Sequence, residues 1–255
     1  GTQAIKPTAA PVVDVVLASV RGSLRFQVSD FRFVAGEVGD FVLVEAGRGR
    51  APDQFLVHGA GQIFVHVELT RKIIDACRAN GIKRLLHMSA LHADATQGLS
   101  HYLKTKGEAE DLAHSASDYG IKVTSFQPSV IFGAHDSFFN RFAALLRLAW
   151  IFPLACHSAR FAPVHAGDVA EAMARSLKDP VSYGRRYHLC GPHVYTLEAL
   201  VRFTAHCIGV KRWIIPLNDM LSRMQAAVFD FVPGKPFSTD NYLSAKIDSV
   251  CGHND

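Results

Sequence analysis

Residues 83–133 constrain this chain more than any other stretch, because they read as strand, loop, helix and strand in direct succession. Lys83–Ser89 (KRLLHMS) is a short apolar strand ending in a hydroxyl. Ser100 stands where a helix N-cap belongs and Gly120 where that helix would end. Within the helix Tyr102 and Lys106 are four residues apart, so they share one face and their phenol and ammonium point into the same space. The next strand, Ile121–Phe126, runs into Gln127-Pro128-Ser129-Val130-Ile131-Phe132-Gly133, where proline and glycine are expected to stop sheet pairing and open a loop.

A tyrosine passes a proton to or from a substrate oxygen only when its pKa, about 10 unperturbed, is drawn toward neutrality by a nearby cation. Lys106 is that cation for Tyr102, and hydride chemistry on a nicotinamide needs this pairing. Tyr-x-x-x-Lys alone is a common accident of exposed helix faces, so its setting between two strands is what gives it weight. Upstream, Val67, Ile73, Ile74 and Cys77 recur at helical spacing and Asn80-Gly81 ends that helix. A helix between two strands is the crossover of a βαβ unit, and successive units imply a parallel sheet with helices on both faces. Ser89 and Pro128–Val130 then lie at carboxyl ends of strands, the edge where open α/β sheets bind ligands.

The segments HMSAL, SHYLKTKGEAEDL and PSVIFG resemble the short-chain dehydrogenase/reductase superfamily in its atypical, extended branch. HVELTRKIIDACRANGIKRLLHMSA, FFNRFAALLRL, RFAPVHAGDVAEA, GPHVYTLEALVRF and IIPLNDMLSRMQAAVFDFVPGKPFSTDN agree. The nearest resemblance is to the group containing the Rossmann-fold accessory subunit of respiratory complex I and its bacterial relatives, and it spans Phe64 to Val250. It implies a Rossmann-like, doubly wound α/β sheet with a small C-terminal α/β lobe. It also implies roles: Tyr102 as acid/base, Lys106 lowering its pKa and holding a cofactor ribose, Ser89 bonding the substrate oxygen, and Pro128, Ser129 and Val130 lying against the nicotinamide. Strand register leaves the serine's place open between Ser89 and Ala90. The implied cofactor is NAD or NADP. Two functions follow from the resemblance. One is an NAD(P)(H)-binding structural or accessory protein with a respiratory-chain or quinone-pathway partner. The other is an active NAD(P)-dependent reductase or sugar-nucleotide epimerase using Tyr102 and Lys106.

A doubly wound fold normally begins with a strand, a glycine-rich turn and a helix that meet a pyrophosphate. Neither GxGxxG nor GxxGxxG occurs in the first sixty residues, and Val12–Val44 shows short alternating runs that favour strands. Residues 1–60 are therefore expected to be an atypical segment, 61–165 a Rossmann-like core and 166–255 a C-terminal lobe. In the lobe and its approach, Phe138–Leu154 is unusually apolar and reads as a core helix with its following loop. A sharper reading of 138–154 is peripheral membrane or partner contact, since its aromatics stand beside Arg141 and Arg147. Arg160–Val164 reads as a strand, and Asp168 with Glu171 as a capping box for a helix over Val169–Leu177. Tyr187–Cys190 reads as a strand, and Thr196 caps a helix over Leu197–Ile208. Trp213–Leu217, a helix over Asp219–Asp230 and a turn at Pro233–Pro236 complete the chain.

Composition excludes several classes. A net charge of +4 without clustering leaves no nucleic-acid footprint. The five cysteines are far apart and lack a CxxC pair, so they are expected to be reduced, mostly buried thiols of a cytoplasmic protein. Thirteen histidines form no cluster at metal-ligand spacing. No apolar run reaches the ~18 residues of a membrane span, so the expected location is cytoplasmic, at most peripheral on the inner membrane face.

Overall fold

The computed structural model describes residues 64–133, 136–232 and 237–252. The expected strands of Val12–Val44, the glycine pairs at 47–49 and 59–61, and the turn at 233–236 lie outside the described residues.

A π-helical turn over Phe64–Glu68 leads into α1 (Leu69–Ala79), whose Ile73, Ile74 and Cys77 are buried on one face. Then come β1 (Arg84–Met88) and α2 (His101–Ser115), followed by a 3-10 turn that Gly120 closes with φ of 74°. The Ser100 side chain accepts the Leu103 N–H, the bond its place before the helix implies. The order continues with β2 (Lys122–Pro128), β3 (Ile131–Phe132), α3 (Phe139–Leu148), β4 (Ile151–Leu154), β5 (Arg160–Phe161) and β6 (Val164–His165). It closes with α4 (Ala166–Ser176), β7 (Arg186–Leu189), β8 (Tyr195–Thr196), α5 (Leu197–Cys207), β9 (Trp213–Pro216), α6 (Asp219–Phe229) and α7 (Thr239–Ser244).

The sheet runs β1-β2-β7 and is parallel throughout, with Leu86 opposite Thr124 and Phe126 opposite Tyr187. Every β1 residue is buried, as expected of a parallel strand covered on both faces. Alternation divides its side chains. Leu85 packs with Ile73, Ile74, Cys77 and Ala113 beneath α1 and α2, whereas Leu86 and Met88 pack with Val169 and Met173 of α4. A separate cluster of Leu146, Leu154, Leu197, Val201 and Ile214 joins α3, α5, β4 and β9 into the lobe.

Arg84, only 2% exposed, ties the sheet to α4. Its guanidinium donates to the Ser176 and Leu177 carbonyls at the end of α4 (2.8 and 3.2 Å) and to the Thr124 and Ser182 hydroxyls (2.8 Å each). A helix C-terminus has unpaired carbonyls and a partial negative charge, so a cation there is stabilised without a carboxylate.

The structure corrects several sequence expectations. Pairing does not stop at Phe126: β2 continues through Gln127 and Pro128, because Ser129 N–H reaches Leu189 O at 2.9 Å and makes the bond that proline cannot. Asp168 is not a cap. The N-cap is His165, whose Nδ1 accepts the Gly167 N–H at 3.1 Å, so α4 starts earlier and Asp168 sits in its first turn. Glu171 pairs with Arg175 instead of reaching back to a cap. Arg160–Val164 splits into β5 and β6, which pair with β8 and β3. Within Phe138–Leu154 the helix is followed by a strand where a loop was expected, because β4 pairs in parallel with β9. The cysteines are not all reduced: Cys190 and Cys251 form a disulfide, because the segment after α7 returns to the sheet. Of the free thiols Cys77 is buried, Cys156 half-buried and Cys207 exposed.

Replacing Arg84 by methionine leaves three carbonyls and two hydroxyls without their donor. Urea unfolding of Arg84→Met is expected to show a loss of roughly 3 kcal/mol. An unchanged midpoint would show that Arg84 does not hold the sheet to α4.

Candidate functional site

Four titratable residues recur every fourth position along α2: Tyr102, Lys106, Glu110 and His114. They form one helix face, and its first three members deepen into the protein. Tyr102 is half-buried, Lys106 is 5% exposed and Glu110 is fully buried.

Each member meets a different part of the sheet or its surroundings. The Tyr102 ring lies edge-on to His66, with centroids 5.7 Å apart, and His66 Nδ1 is 2.8 Å from Thr105 Oγ1. The Lys106 ammonium donates to the Met88 carbonyl at 3.2 Å, which seats a cation at the carboxyl end of β1. Glu110 Oε2 accepts from Ser89 Oγ (2.7 Å) and Gln127 Nε2 (2.8 Å), while Arg186 Nε stands 3.8 Å from Oε1. A buried carboxylate is costly unless paired, and the hydroxyl, amide and guanidinium offset that cost. His114 Nε2 is 2.6 Å from Ser125 Oγ on β2.

The sequence-predicted residues therefore divide. Tyr102 and Lys106 share the expected face. Ser89 lies at the expected strand end, but its hydroxyl is committed to Glu110 and turned toward α2. Ala90, the neighbouring position in register, carries no hydroxyl. Pro128 is buried at the end of β2, Val130 accepts the Val164 N–H through its carbonyl, and Ser129 Oγ donates to Ser249 O at 2.7 Å. An open groove of about 860 Å³ runs along the β7 edge beside α4, lined by Arg175, Asp179 and Arg186 among others, and includes neither Tyr102 nor Lys106.

Sequence reasoning missed Asp240, Glu110 and His66. Asp240 of α7 accepts the backbone N–H groups of His101 (2.6 Å) and Tyr102 (3.2 Å), and Ser244 Oγ donates to Ser100 Oγ (2.8 Å). A carboxylate at a helix N-terminus satisfies unpaired donors and complements the dipole. No local signal marks a contact across 138 residues. Glu110 and His114 did carry a signal, the continuation of the four-residue spacing beyond Lys106.

Two histidines, His87 buried and His114 half-buried, accompany this face. His87 lies on β1 between Leu85 and Ser89. Burial holds its pKa well below the usual value, and the Lys106 charge adds to the effect. Burial also lowers His114, with Arg186 contributing, against the opposing charges of Glu110 and Asp111.

Comparison with known proteins follows the same lines. Residues 18–190 match the model of the NAD dependent epimerase/dehydratase family, so the chain belongs to that family. The match begins well before Phe64 and reaches into a segment that the motif resemblance did not cover. The mouse (Mus musculus) protein NADH dehydrogenase (ubiquinone) 1 alpha subcomplex subunit 9, mitochondrial, is 31% identical over 179 residues, 69% of this chain and 46% of that protein. Its Arabidopsis thaliana counterpart is 29% identical over 67% of this chain and 42% of that protein. The chain thus spans less than half the length of these relatives. A dTDP-glucose 4,6-dehydratase from Streptomyces venezuelae, solved with NAD bound, shares the fold at a TM-score of 0.59 and 17% identity, over 71% of this chain and 62% of that one.

The depressed histidines fix a sign for pH dependence. Unfolded, each protonates near pH 6.5; folded, each stays neutral to lower pH. Between those limits the unfolded chain binds more protons, so stability falls as pH drops below about 6.5. Melting temperatures at pH 7.5, 6.5 and 5.5 are expected to fall in that order, less steeply in His114→Gln. A flat profile would contradict the lowered histidine pKa values.

Proposed function

We propose that the chain binds NAD(H) at the carboxyl edge of β1, β2 and β7 as a structural element, and serves a respiratory-chain or quinone-pathway assembly without turning the nucleotide over. One observation carries this reading. The site keeps Tyr102 and Lys106, the pair suited to a cofactor ribose, while the Ser89 hydroxyl is spent on Glu110 and offers no oriented donor to a reacting oxygen. Membership of an NAD-dependent family and relatives named as NADH dehydrogenase subunits support it.

The residues at this edge fit the nicotinamide end of a dinucleotide. Lys106 brings positive charge to the end of β1, and Tyr102 supplies a half-buried hydroxyl on the same face. Pro128 and Val130 provide a wall without charge. Bound NAD would supply a hydride acceptor, and whether hydride moves depends on the substrate side. The second reading is a working reductase or epimerase, favoured by the shared face of Tyr102 and Lys106. In it Tyr102 exchanges the proton, with the Lys106 cation on the same helix face.

Place and partner follow from an apolar face of the lobe. On β4 and β9, Ile151, Pro153, Trp213 and Ile215 face outward while Phe152, Leu154 and Ile214 face the core. Trp150 and Trp213 are 77% and 76% exposed, and Arg212 lies over the Trp150 ring at 5.0 Å. Aromatics flanked by arginines suit an anionic bilayer surface, which makes 138–154 a peripheral contact on the inner membrane face. Among the described residues no helix is long and apolar enough to cross a membrane.

Titration with NADH is expected to raise the melting temperature, with stabilisation approaching ~2.7 kcal/mol at a hundredfold excess over the dissociation constant. Lys106→Ala should weaken binding about tenfold, and Tyr102→Phe should leave it within threefold. Steady turnover on a carbonyl or sugar-nucleotide panel, abolished by Tyr102→Phe, would sink the accessory reading in favour of the enzyme.

Co-sedimentation with vesicles containing phosphatidylglycerol should pellet the chain, and Trp150→Ser with Trp213→Ser should cut the bound fraction several-fold. Protein left wholly in the supernatant would remove the membrane contact.

A further inference from the structure

Residues 248–251 reach the chain beyond the carboxyl end of each strand in the parallel sheet. Beyond β1, His92 Nε2 lies 3.0 Å from Asp248 O, with His92 held at φ of 60°. Beyond β2, Ser129 Oγ donates to Ser249 O at 2.7 Å and stands 3.0 Å from Ser249 Oγ. Beyond β7, Cys190 is bonded to Cys251. The other side of this strap is held by the β5 region. Arg160 donates through N–H and Nε to the Asp248 carboxylate (2.9 and 2.8 Å), Ser249 N–H donates to Arg160 O (2.8 Å), and Ala162 N–H donates to Ser249 O (3.0 Å).

The two ends of the disulfide differ. Cys190 is fixed: it directly follows β7, and the next residue, Gly191, is pressed so closely on Pro163 that a Cβ there would lie 1.8 Å from the Pro163 oxygen. Cys251 sits on a strap whose other ties are hydrogen bonds and one ion pair, Arg160–Asp248, with side chains 58% and 38% exposed. Exposed contacts of that kind are individually weak. Neither cysteine of the pair is buried, so a thiol can approach. Opening the bridge would free the strap and leave the sheet as it is.

We propose that Cys190–Cys251 is a redox modification site that controls a cover over the nucleotide edge. Oxidised, the bridge holds Ser249 against Ser129, and the strap occupies the end of β2 where the nicotinamide ring would lie. A dithiol reductant opens it by exchange. One reductant thiolate attacks a protein sulfur, giving a mixed disulfide and one protein thiol; the second reductant thiol then displaces the other protein sulfur. The products are two protein thiols and the reductant's own disulfide, with electrons and protons balanced. The strap is then released, Ser129 is uncovered and nucleotide enters. The cover rests on the reading that a dinucleotide binds this edge, and the thiol exchange does not.

The test uses the full chain, air-oxidised or treated with dithiothreitol, followed by thiol-labelling mass spectrometry, hydrogen exchange and NADH titration. Expected are a Cys190–Cys251 bridge in the oxidised chain, at least tenfold faster amide exchange over 248–251 after reduction, and about fivefold tighter NADH binding. Cys190→Ser should behave as reduced under both conditions, and Cys207→Ser, which removes the exposed thiol, should switch like the parent. No bridge, or unchanged exchange over 248–251, would overturn the redox strap. A freed strap with equal NADH affinity in both states would overturn the cover. A freed strap with no NADH binding in either state would overturn the nucleotide reading and leave the thiol exchange standing.

Discussion

The sheet depends on a positive charge buried among carbonyls and hydroxyls. Arg84 is almost inaccessible to water, and its guanidinium is satisfied by carbonyls and hydroxyls from β2, the end of α4 and the turn at Ser182. A guanidinium keeps its charge in such surroundings because its pKa is far above neutrality. Its fixed fork of donors then dictates where β1, β2 and α4 lie relative to one another. With β1 fixed, alternation sends Leu86 and Met88 to the α4 side and Leu85, His87 and Ser89 to the α2 side. The Met88 carbonyl thereby becomes the seat of Lys106, and the Ser89 hydroxyl becomes a partner of Glu110.

That arrangement sorts the face of α2 by depth. At the deep end, charge is balanced where solvent is absent: Glu110 is matched by Arg186 and two neutral donors, and the histidines near them are held neutral. At the shallow end, Tyr102 lies beside His66 and just below the carboxylate of Asp240. The outer end of the face is therefore the part that solvent reaches, and the inner end is scaffold. Ser89 belongs to the scaffold because its hydroxyl donates to the buried Glu110 Oε2. The direction of the Ser89 hydroxyl thus follows from how the fold satisfies one buried carboxylate.

Local features of the fold were legible in the sequence and contacts between distant segments were not. Ser100 capping α2, Gly120 ending it, Thr196 capping α5 and the run from Lys83 to Phe126 each depend on neighbours a few residues away. The side toward which Ser89 turns depends on Glu110, and the His165 cap depends on a ring nitrogen in place of the expected carboxylate. Proline at position 128 signals the end of a strand only if its own N–H is the one the ladder needs. Here Ser129 makes the next bond, so the signal misled. Cys190 and Cys251 are 61 residues apart and carry no motif. Their pairing is visible only once Ser249 is seen beside Phe161.

Other long-range contacts join α2 to the lobe. Asp240 clasps the first N–H groups of α2, and α7 is itself anchored to α6 by the Tyr242 hydroxyl donating to Asp219 at 2.8 Å. Lys246 reaches the same Asp219 oxygen at 2.6 Å. α6 in turn touches β4 through Gln225 Nε2, which donates to the Pro153 carbonyl at 3.1 Å. A continuous set of hydrogen bonds therefore runs from the exposed apolar face of β4 and β9 to the backbone of Tyr102. The contacts that hold α6 and α7 in place therefore also hold the start of the helix that carries Tyr102 and Lys106.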